Sequence, residues 1–354
     1  MKKKYVNSKL IVFLSVVVMI GVLIFSSVSA IAAEKIIRLA HDMGPDPNTP
    51  THAYALIVKQ VMEAETDYTV EIYPASELGG ERDRLDQTAD GSIQINLASI
   101  GGMGMIYKPI LLYGSPFMYR SDRVFREFCW RSDWNGYIFE KFKEETTNLE
   151  PIHAYQRGCL NAFTNNKFPI TSLDDFKKLK LRAMDVFQAK LFQALGASAT
   201  IIPFAELYTA LQTGVVDGQI NPVAMIRDMG FQEVQDYLTL ARCMPGSGFV
   251  VVCQNWYQNL PDDIRNTLNE AFFTASLTSA GLSQKRYGET LNYYKENKSF
   301  KEINSLAENP ESYAEIRKIG QEAAIEWAKS IMDDEIVDRY VEGVREIEKS
   351  IYKD

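Results

Sequence analysis

The chain has 354 residues, 46% hydrophobic and 24% charged, the balance of a soluble globular protein and enough length for two lobes, since single hydrophobic cores stop growing near roughly 250–300 residues. Its formal net charge of −8 disfavours nucleic acid and anionic lipid as partners, so an anionic ligand has to be attracted by a few cations inside a cleft. Cys129, Cys159, Cys243 and Cys253 form an even set without CxxC spacing, which argues against a structural zinc site and leaves any disulfide pairing open.

Lys2, Lys3, Lys4 and Lys9 precede an apolar run from Leu10 to Phe25 and small residues ending in Ala30-Ile31-Ala32-Ala33, the three-part layout of a secretory signal. Residues 1–33 are therefore read as a signal peptide and the mature chain as periplasmic or extracytoplasmic. An uncleaved anchor is the alternative, because the apolar run approaches the length of a spanning helix. Removing those residues takes away four lysines and no acid, deepening the net charge from −8 to −12.

Ile36–Ala40 reads as the first strand, ending at His41 and Asp42, followed by the turn-forming run MGPDPNTP and a helix over about His52–Glu65. Tyr68–Tyr73 alternates apolar and polar residues as a second strand, Glu81 opens a helix running to about Ala89, and Ile93–Ala98 is a third strand ending at Ser99. GGMGM from Gly101 lacks the third glycine of a dinucleotide fingerprint and the Gly-Lys-Ser/Thr of a P-loop, so it is read as a tight turn. Residues 112–157 alternate aromatic-rich helices with charged turns; Trp130 and Trp134 are assigned to the core, and Ile152–Tyr155 to a strand leading towards a second lobe.

Residues 163–222 alternate short strands and helices. Leu179–Leu181 stops at Arg182, Ala199–Ile202 stops at Pro203 and Phe204, and the run through Val215, Val216 and Ile220 stops at Asn221. Helices over about Val186–Leu195 and Ala205–Gln212 lie between them, each closed by a glycine, Gly196 and Gly214. Strands joined by crossover helices are parallel, and such sheets carry their chemistry at the strands' carboxyl ends. Arg182, Phe204 and Asn221 are therefore expected on one edge, as one wall of a cleft. A helix near Met225–Gln235 and a returning strand over Gly248–Cys253 follow. From Pro261, helical spacing through Ile264, Leu268, Ala271 and Ala275 meets no strong breaker before about Asn297; about 35 residues of helix span roughly 50 Å, enough to cross two lobes, with Gly281 a bending point. Helices near Ser312–Met332 and Asp334–Tyr352 complete the chain.

The residue inventory offers little for catalysis. His41, His52 and His153 are the three histidines and lack HxxxH spacing, and Gly246-Ser247-Gly248 is no nucleophile elbow. No enzyme activity, metal or cofactor is expected. Arg182 is the candidate for an anion, although from position alone it serves equally well as a partner for an internal acid.

SELGGERDRL from Ser76, PITSLDDFKKLKLR from Pro169, and ALGASATIIPFAELYTALQTGVVDGQINP from Ala194 resemble the extracytoplasmic solute receptors of tripartite ATP-independent periplasmic (TRAP) transporters, the DctP type, over essentially the whole mature chain. The resemblance implies an α/β, two-lobed periplasmic-binding-protein-like fold with crossing hinge strands and a long helix spanning both lobes. The boundaries are drawn at 34–158 plus 247–286 for lobe I and 159–246 plus 287–354 for lobe II. It further implies a monomeric receptor that closes over a small organic acid and delivers it to the membrane subunits of a permease. Arg182 matches the arginine that pairs with the ligand carboxylate and Asn221 the asparagine that hydrogen-bonds the ligand. Phe204 matches an aromatic cleft position, and Asp42, Glu81, Ala98, Ser99 and Asp185 match positions that line the pocket. Asn161 stands where many members carry a second arginine, and Lys178 replaces the usual glycine of the motif before Arg182. One clear cation among acids at Asp42, Glu81 and Asp185 favours a monocarboxylate with polar substituents, such as a sugar acid, over a simple dicarboxylate. The rival readings are a binding protein of an ATP-driven importer, a secreted enzyme acting on carboxylates, and a ligand-sensing partner of a signalling receptor.

Overall fold

The computed structural model describes residues 35–352; the expected signal peptide lies outside them. In chain order the strands are β1 (Ile36–His41), β2 (Thr69–Tyr73), β3 (Ile95–Ser99), β4 (Leu149–Gly158), β5 (Ala162–Asn165), β6 (Lys180–Ala183), β7 (Ser198–Ile201), β8 (Gly218–Asn221), β9 (Tyr237–Leu240), β10 (Gly246–Cys253) and β11 (Glu302–Ser305). They form two mixed sheets, β2-β1-β3-β10-β4 and β11-β9-β5-β8-β6-β7, one in each lobe of an α/β fold. β1, β2 and β3 run parallel, as do β6, β7 and β8, while β10 and β5 run against their neighbours.

Period-two alternation decides which side chains enter which layer. In the first sheet Ile37, Leu39, Ile95, Leu97, Val250 and Val252 face the helix Pro50–Glu65 and the start of the long helix. Their neighbours Ala98, Ala154, Phe249 and Val251 face an aromatic core around Phe128 and Trp134. The second sheet does the same, with Phe163, Leu181 and Ile220 on one face and Ala162 and Leu238 on the other. Burying both faces is what makes each lobe a three-layer unit.

Three strands carried no recognisable pattern. β5, β9 and β11 are each four residues long, AFTN, YLTL and EINS, too short to show an alternation, and they become strands through pairing rather than propensity. The glycine-rich segment is also different from its reading as a tight turn: Ile100–Ile106 is a helix, with Ser99 Oγ accepting from the Gly102 amide at its amino end. Glycine is needed there because a Cβ on Gly102 would come within 2.1 Å of Glu81 Cγ, and one on Gly104 within 2.2 Å of Leu111. The neighbouring side chains use the space.

The lobes are joined where β4 runs into β5 and β9 returns into β10. The two crossing segments touch through main chain: the Asn161 amide donates to Met244 O at 2.8 Å and the Arg242 amide to Asn161 O at 2.9 Å. Gly158 and Gly246 lie face to face here, and a Cβ on Gly246 would sit 2.8 Å from Gly158 Cα. The long helix is continuous from Asp262 to Glu296, 35 residues. It places Leu268, Phe272 and Ala275 in the first lobe's core and Tyr294 in the second's, so it spans both.

The last helix belongs elsewhere than the sequence grouping suggested. Asp334–Tyr352 packs on the first lobe's helices Asp122–Arg131 and Asp133–Glu145: Ile336, Val337, Tyr340 and Val344 enter the core of Phe128 and Trp134, and Trp134 Nε1 donates to Ile336 O at 3.1 Å. Its apolar stripe needs an apolar partner, and the aromatic surface of residues 112–157 provides one. All four cysteines are buried and free.

Candidate ligand-binding site

The candidate residues lie at or just beyond the carboxyl ends of parallel strands in the two sheets. On the second lobe, Arg182 is the penultimate residue of β6 and is only 3% exposed. Its Nε donates to Ile202 O at 2.9 Å, which pins the guanidinium plane, and its terminal nitrogens make no hydrogen bond with the described residues. The Phe204 ring lies beside it, 6.0 Å from guanidinium carbon to ring centroid, and is itself braced edge-on by Phe231. Burial draws the Arg182 pKa down to about 10, opposed by the Asp185 carboxylate. Asp185 caps the helix Val186–Ala194 by accepting from the Gln188 amide at 2.8 Å; burial raises its pKa, against that bond and the pull of Arg182. Asn221 ends β8, 9% exposed, with its Nδ2 donating to Gln219 Oε1.

The first lobe supplies a buried ionic cluster. Asp42, just beyond β1, accepts two hydrogen bonds from Arg157 Nη2 at 2.8 and 3.0 Å. Burial pushes the Asp42 carboxyl up, but Arg157 and Arg84 outweigh it and hold the group below the usual carboxylate range. Glu81 accepts from the Ser99 amide at 2.7 Å and lies 3.5 Å from Arg84; burial and the adjacent Asp42 charge raise its pKa. Arg84 is fully buried, donating to Gly79 O and Ser76 Oγ. Arg157 Nε, Arg84 Nη2 and Asn96 Nδ2 are sealed from solvent without a hydrogen-bond partner.

The structure thus brings Asp42, Glu81 and Ser99 together in the first lobe and Arg182, Asp185 and Phe204 together in the second, with Asn221 at the end of β8. Ala98 is different, since it is fully buried in the first lobe's core. Asn161 sits in the hinge, 6% exposed, with its Oδ1 buried and unpartnered. The image of one cation among free acids is corrected: Asp42 and Glu81 are each held by an arginine, Arg157 and Arg84, that sequence reasoning passed over. Arg84 stands one helical turn after Glu81, a spacing that signals an ion pair. Arg157 had no such signal, because its partner is 115 residues away.

The lobes meet tightly beside this cluster. A cavity bordered by Met43, Thr51, Arg157, Pro222, Met225 and Ser283 encloses about 20 Å³, room for roughly one water molecule. Nearby, Arg286 of the long helix pairs with Asp46, from the loop after β1, at 3.5 Å and with Asp228 of the second lobe.

The model of the DctP family, bacterial extracellular solute-binding protein family 7, matches residues 41–329. The chain belongs to this family. Members are solute-binding receptors rather than enzymes, which removes the secreted-enzyme reading. Among relatives, a solute-binding protein of Roseobacter denitrificans is 29% identical over 275 residues, 76% of this chain and 81% of its own length. The C4-dicarboxylate-binding periplasmic protein DctP of Rhodobacter capsulatus is 27% identical over 277 residues, 76% and 80% of the two chains. Among solved structures, a TRAP periplasmic solute-binding protein of Desulfovibrio salexigens with bound orotic acid superposes with a TM-score of 0.80 at 25% identity, over 88% of this chain and 99% of that one. The DctP fold, with two lobes around a cleft, is therefore the frame for the site.

Proposed function

We propose that this DctP-family receptor binds a small organic acid between its lobes, with the ligand carboxylate on Arg182, and that it works as a monomer delivering the acid to the membrane subunits of a TRAP transporter. The observation that carries the reading is the state of Arg182: a desolvated guanidinium, pinned through Nε to Ile202 O and flanked by Phe204, with its terminal fork uncommitted. Such a fork matches a carboxylate in shape and charge. In the first lobe Asp42 and Glu81 are already paired with Arg157 and Arg84, and their carboxylate oxygens are acceptors. That combination suits hydroxyl or amine groups on the ligand, so a monocarboxylate with polar substituents fits better than a bare dicarboxylate.

With Arg182 at 3% and Asn221 at 9% exposure, entry and release require the lobes to part about the Gly158–Gly246 crossing, and closure removes the ligand from water. A thermal-shift screen over organic acids tests the reading. A ligand at 100 times its dissociation constant stabilises the folded state by about 2.7 kcal/mol, and absence of any shift across aldonates, hexuronates, hydroxy acids and dicarboxylates would count against it.

A further inference from the structure

A second concavity, beside the crossing segments, shares no residue with the candidate ligand site. It encloses about 210 Å³ and is lined by residues of the segment Phe117–Arg120, by Arg242 between β9 and β10, and by Ser305, Tyr313 and Arg317 of the second lobe. That is smaller than a pocket for a drug-sized molecule, roughly 300–1,000 Å³, and ample for a phosphate or the end of an acidic side chain. Arg242 and Arg317 make no ion pair and no side-chain hydrogen bond with the described residues. The Arg317 guanidinium lies 5.8 Å from the Tyr313 ring centroid. Arg120 is engaged at the rim, 4.4 Å from the Tyr352 ring, so Arg242 and Arg317 are the available pair.

Two like charges lining one hollow repel, and a chain of formal net charge −8 has acids enough to pair them. It does not. Asp122 feels the Arg242 charge but accepts instead from the Leu160 amide at 2.8 Å and from Gln156 Nε2 at 3.3 Å. Burial and the neighbouring Cys243 raise the Tyr313 pKa, and Arg317 and Arg242 both oppose them, so the two cations act on one hydroxyl. That hydroxyl donates to Ala241 O at 3.2 Å. Arg242 also stands at φ +48°, the left-handed region where glycine or asparagine is usual. Its amide donates to Asn161 O at 2.9 Å, and the Phe117 amide holds the next carbonyl, Cys243 O, at 2.5 Å. Residues kept in such conformations cluster at binding sites.

We propose that this pocket is a second anion site, in which a carboxylate or a tetrahedral oxyanion sits between Arg242 and Arg317. Guanidinium forks match both shapes. The apolar faces of Phe117, Leu240 and Tyr313 on its lining lower the local dielectric and strengthen the attraction, and a cationic hollow on an acidic molecule draws anions to itself. The chemistry has two sources, a free ion of the surrounding medium or an acidic side chain on the transporter's membrane subunits; the second rests on the delivery reading above.

Two arms test this and separate the sources. In the first, the intact mature protein with nitrogen-15-labelled arginine is titrated with inorganic phosphate and with citrate, against chloride at matched ionic strength. Saturable shifts of the Arg242 and Arg317 Nε–H signals that chloride does not reproduce are expected for a free ion. Arg317→Gln and Arg242→Gly should each weaken that binding by at least about tenfold, the loss expected for one charge-assisted contact. Glycine suits the backbone at φ +48°, so Arg242→Gly removes the guanidinium while favouring the native fold. Arg182→Ala should leave the shifts unchanged, which keeps the result independent of the organic-acid reading. In the second arm, wild type and the same two variants are sedimented with membrane vesicles carrying the transporter's membrane subunits. Association at least about tenfold weaker in both variants, without a phosphate or citrate effect in the first arm, identifies an acidic side chain as the occupant. Shifts that chloride reproduces, together with no vesicle association that depends on the two arginines, overturn the proposal.

Discussion

Arg182→Ala is the most informative perturbation because its effects on folding and on binding separate. In the folded receptor the side chain is 3% exposed, satisfies Ile202 O through Nε and opposes the Asp185 charge. Truncation strips that carbonyl of its side-chain donor and Asp185 of its cation, a cost of about 1–3 kcal/mol. Removing a desolvated cation returns part of it, so stability should fall towards the lower end of that range. Binding should suffer more. Deleting one partner of a desolvated ion pair costs about 2–5 kcal/mol, which is roughly 30-fold to several thousandfold in affinity. Calorimetry with the best acid from the thermal-shift screen, beside urea denaturation and circular dichroism, reads the two effects independently. Arg182→Lys keeps the charge and loses the planar fork, and should fall between the wild type and alanine. An Arg182→Ala protein that folds normally and binds within threefold of wild type would refute the carboxylate assignment.

Acid sensitivity should come from the buried His41 and the half-buried His153. Burial holds His41 at a pKa of about 3 and His153 at about 4, both lowered from 6.5; the unfolded chain therefore takes up protons that the native state refuses, and stability present above pH 6.5 is lost as pH falls through 4 towards 3. The thermal midpoint should drop steadily below pH 6.5, less so in His153→Gln, and a flat profile from pH 7 to 4.5 would contradict the assignment. At the hinge, Gly246→Ala drives a Cβ against Gly158 main chain at 2.8 Å and should cost about 1–3 kcal/mol in chemical denaturation. Gly281→Ala, where a Cβ meets nothing within 4 Å at an exposed position of the long helix, should instead stabilise by up to about 1 kcal/mol. Arg286→Ala leaves Asp228, whose side chain is 16% exposed, without its cation across the lobe boundary. A loss of about 1–3 kcal/mol in urea denaturation is expected, together with weaker ligand binding if the pair favours closure; unchanged values in both assays would assign the pair no role.

Much of the fold was legible because its elements advertise themselves locally. The 35-residue helix followed from Pro261, two aspartates in the first turn and an unbroken apolar spacing, and it appears as Asp262–Glu296. β1, β2, β3, β6 and β10 were readable from alternation or apolar runs. The strands that escaped notice, β5, β9 and β11, are short pieces whose hydrogen bonds go to chain far away, β5 lying between β8 and β9. The glycine-rich helix Ile100–Ile106 escaped because glycine normally marks a turn; here it makes room for Glu81 and Leu111, a requirement set by packing alone.

By itself the sequence determined the strand-end positions of Arg182, Phe204 and Asn221, since a strand's carboxyl end is a local property once its crossover helices are recognised. It also determined the family, through contiguous motifs. The tertiary structure decided everything that depends on pairing distant residues: that Arg157 neutralises Asp42 across 115 positions, that the final helix docks on the first lobe, and that Asn221 ends a file of buried side chains. That file begins at Gln235, whose amide meets two carbonyls, and reaches Asn221 through Thr164 and Gln219. Hydrogen-bond direction is a property of the network, and the network exists only after the strands have found their register.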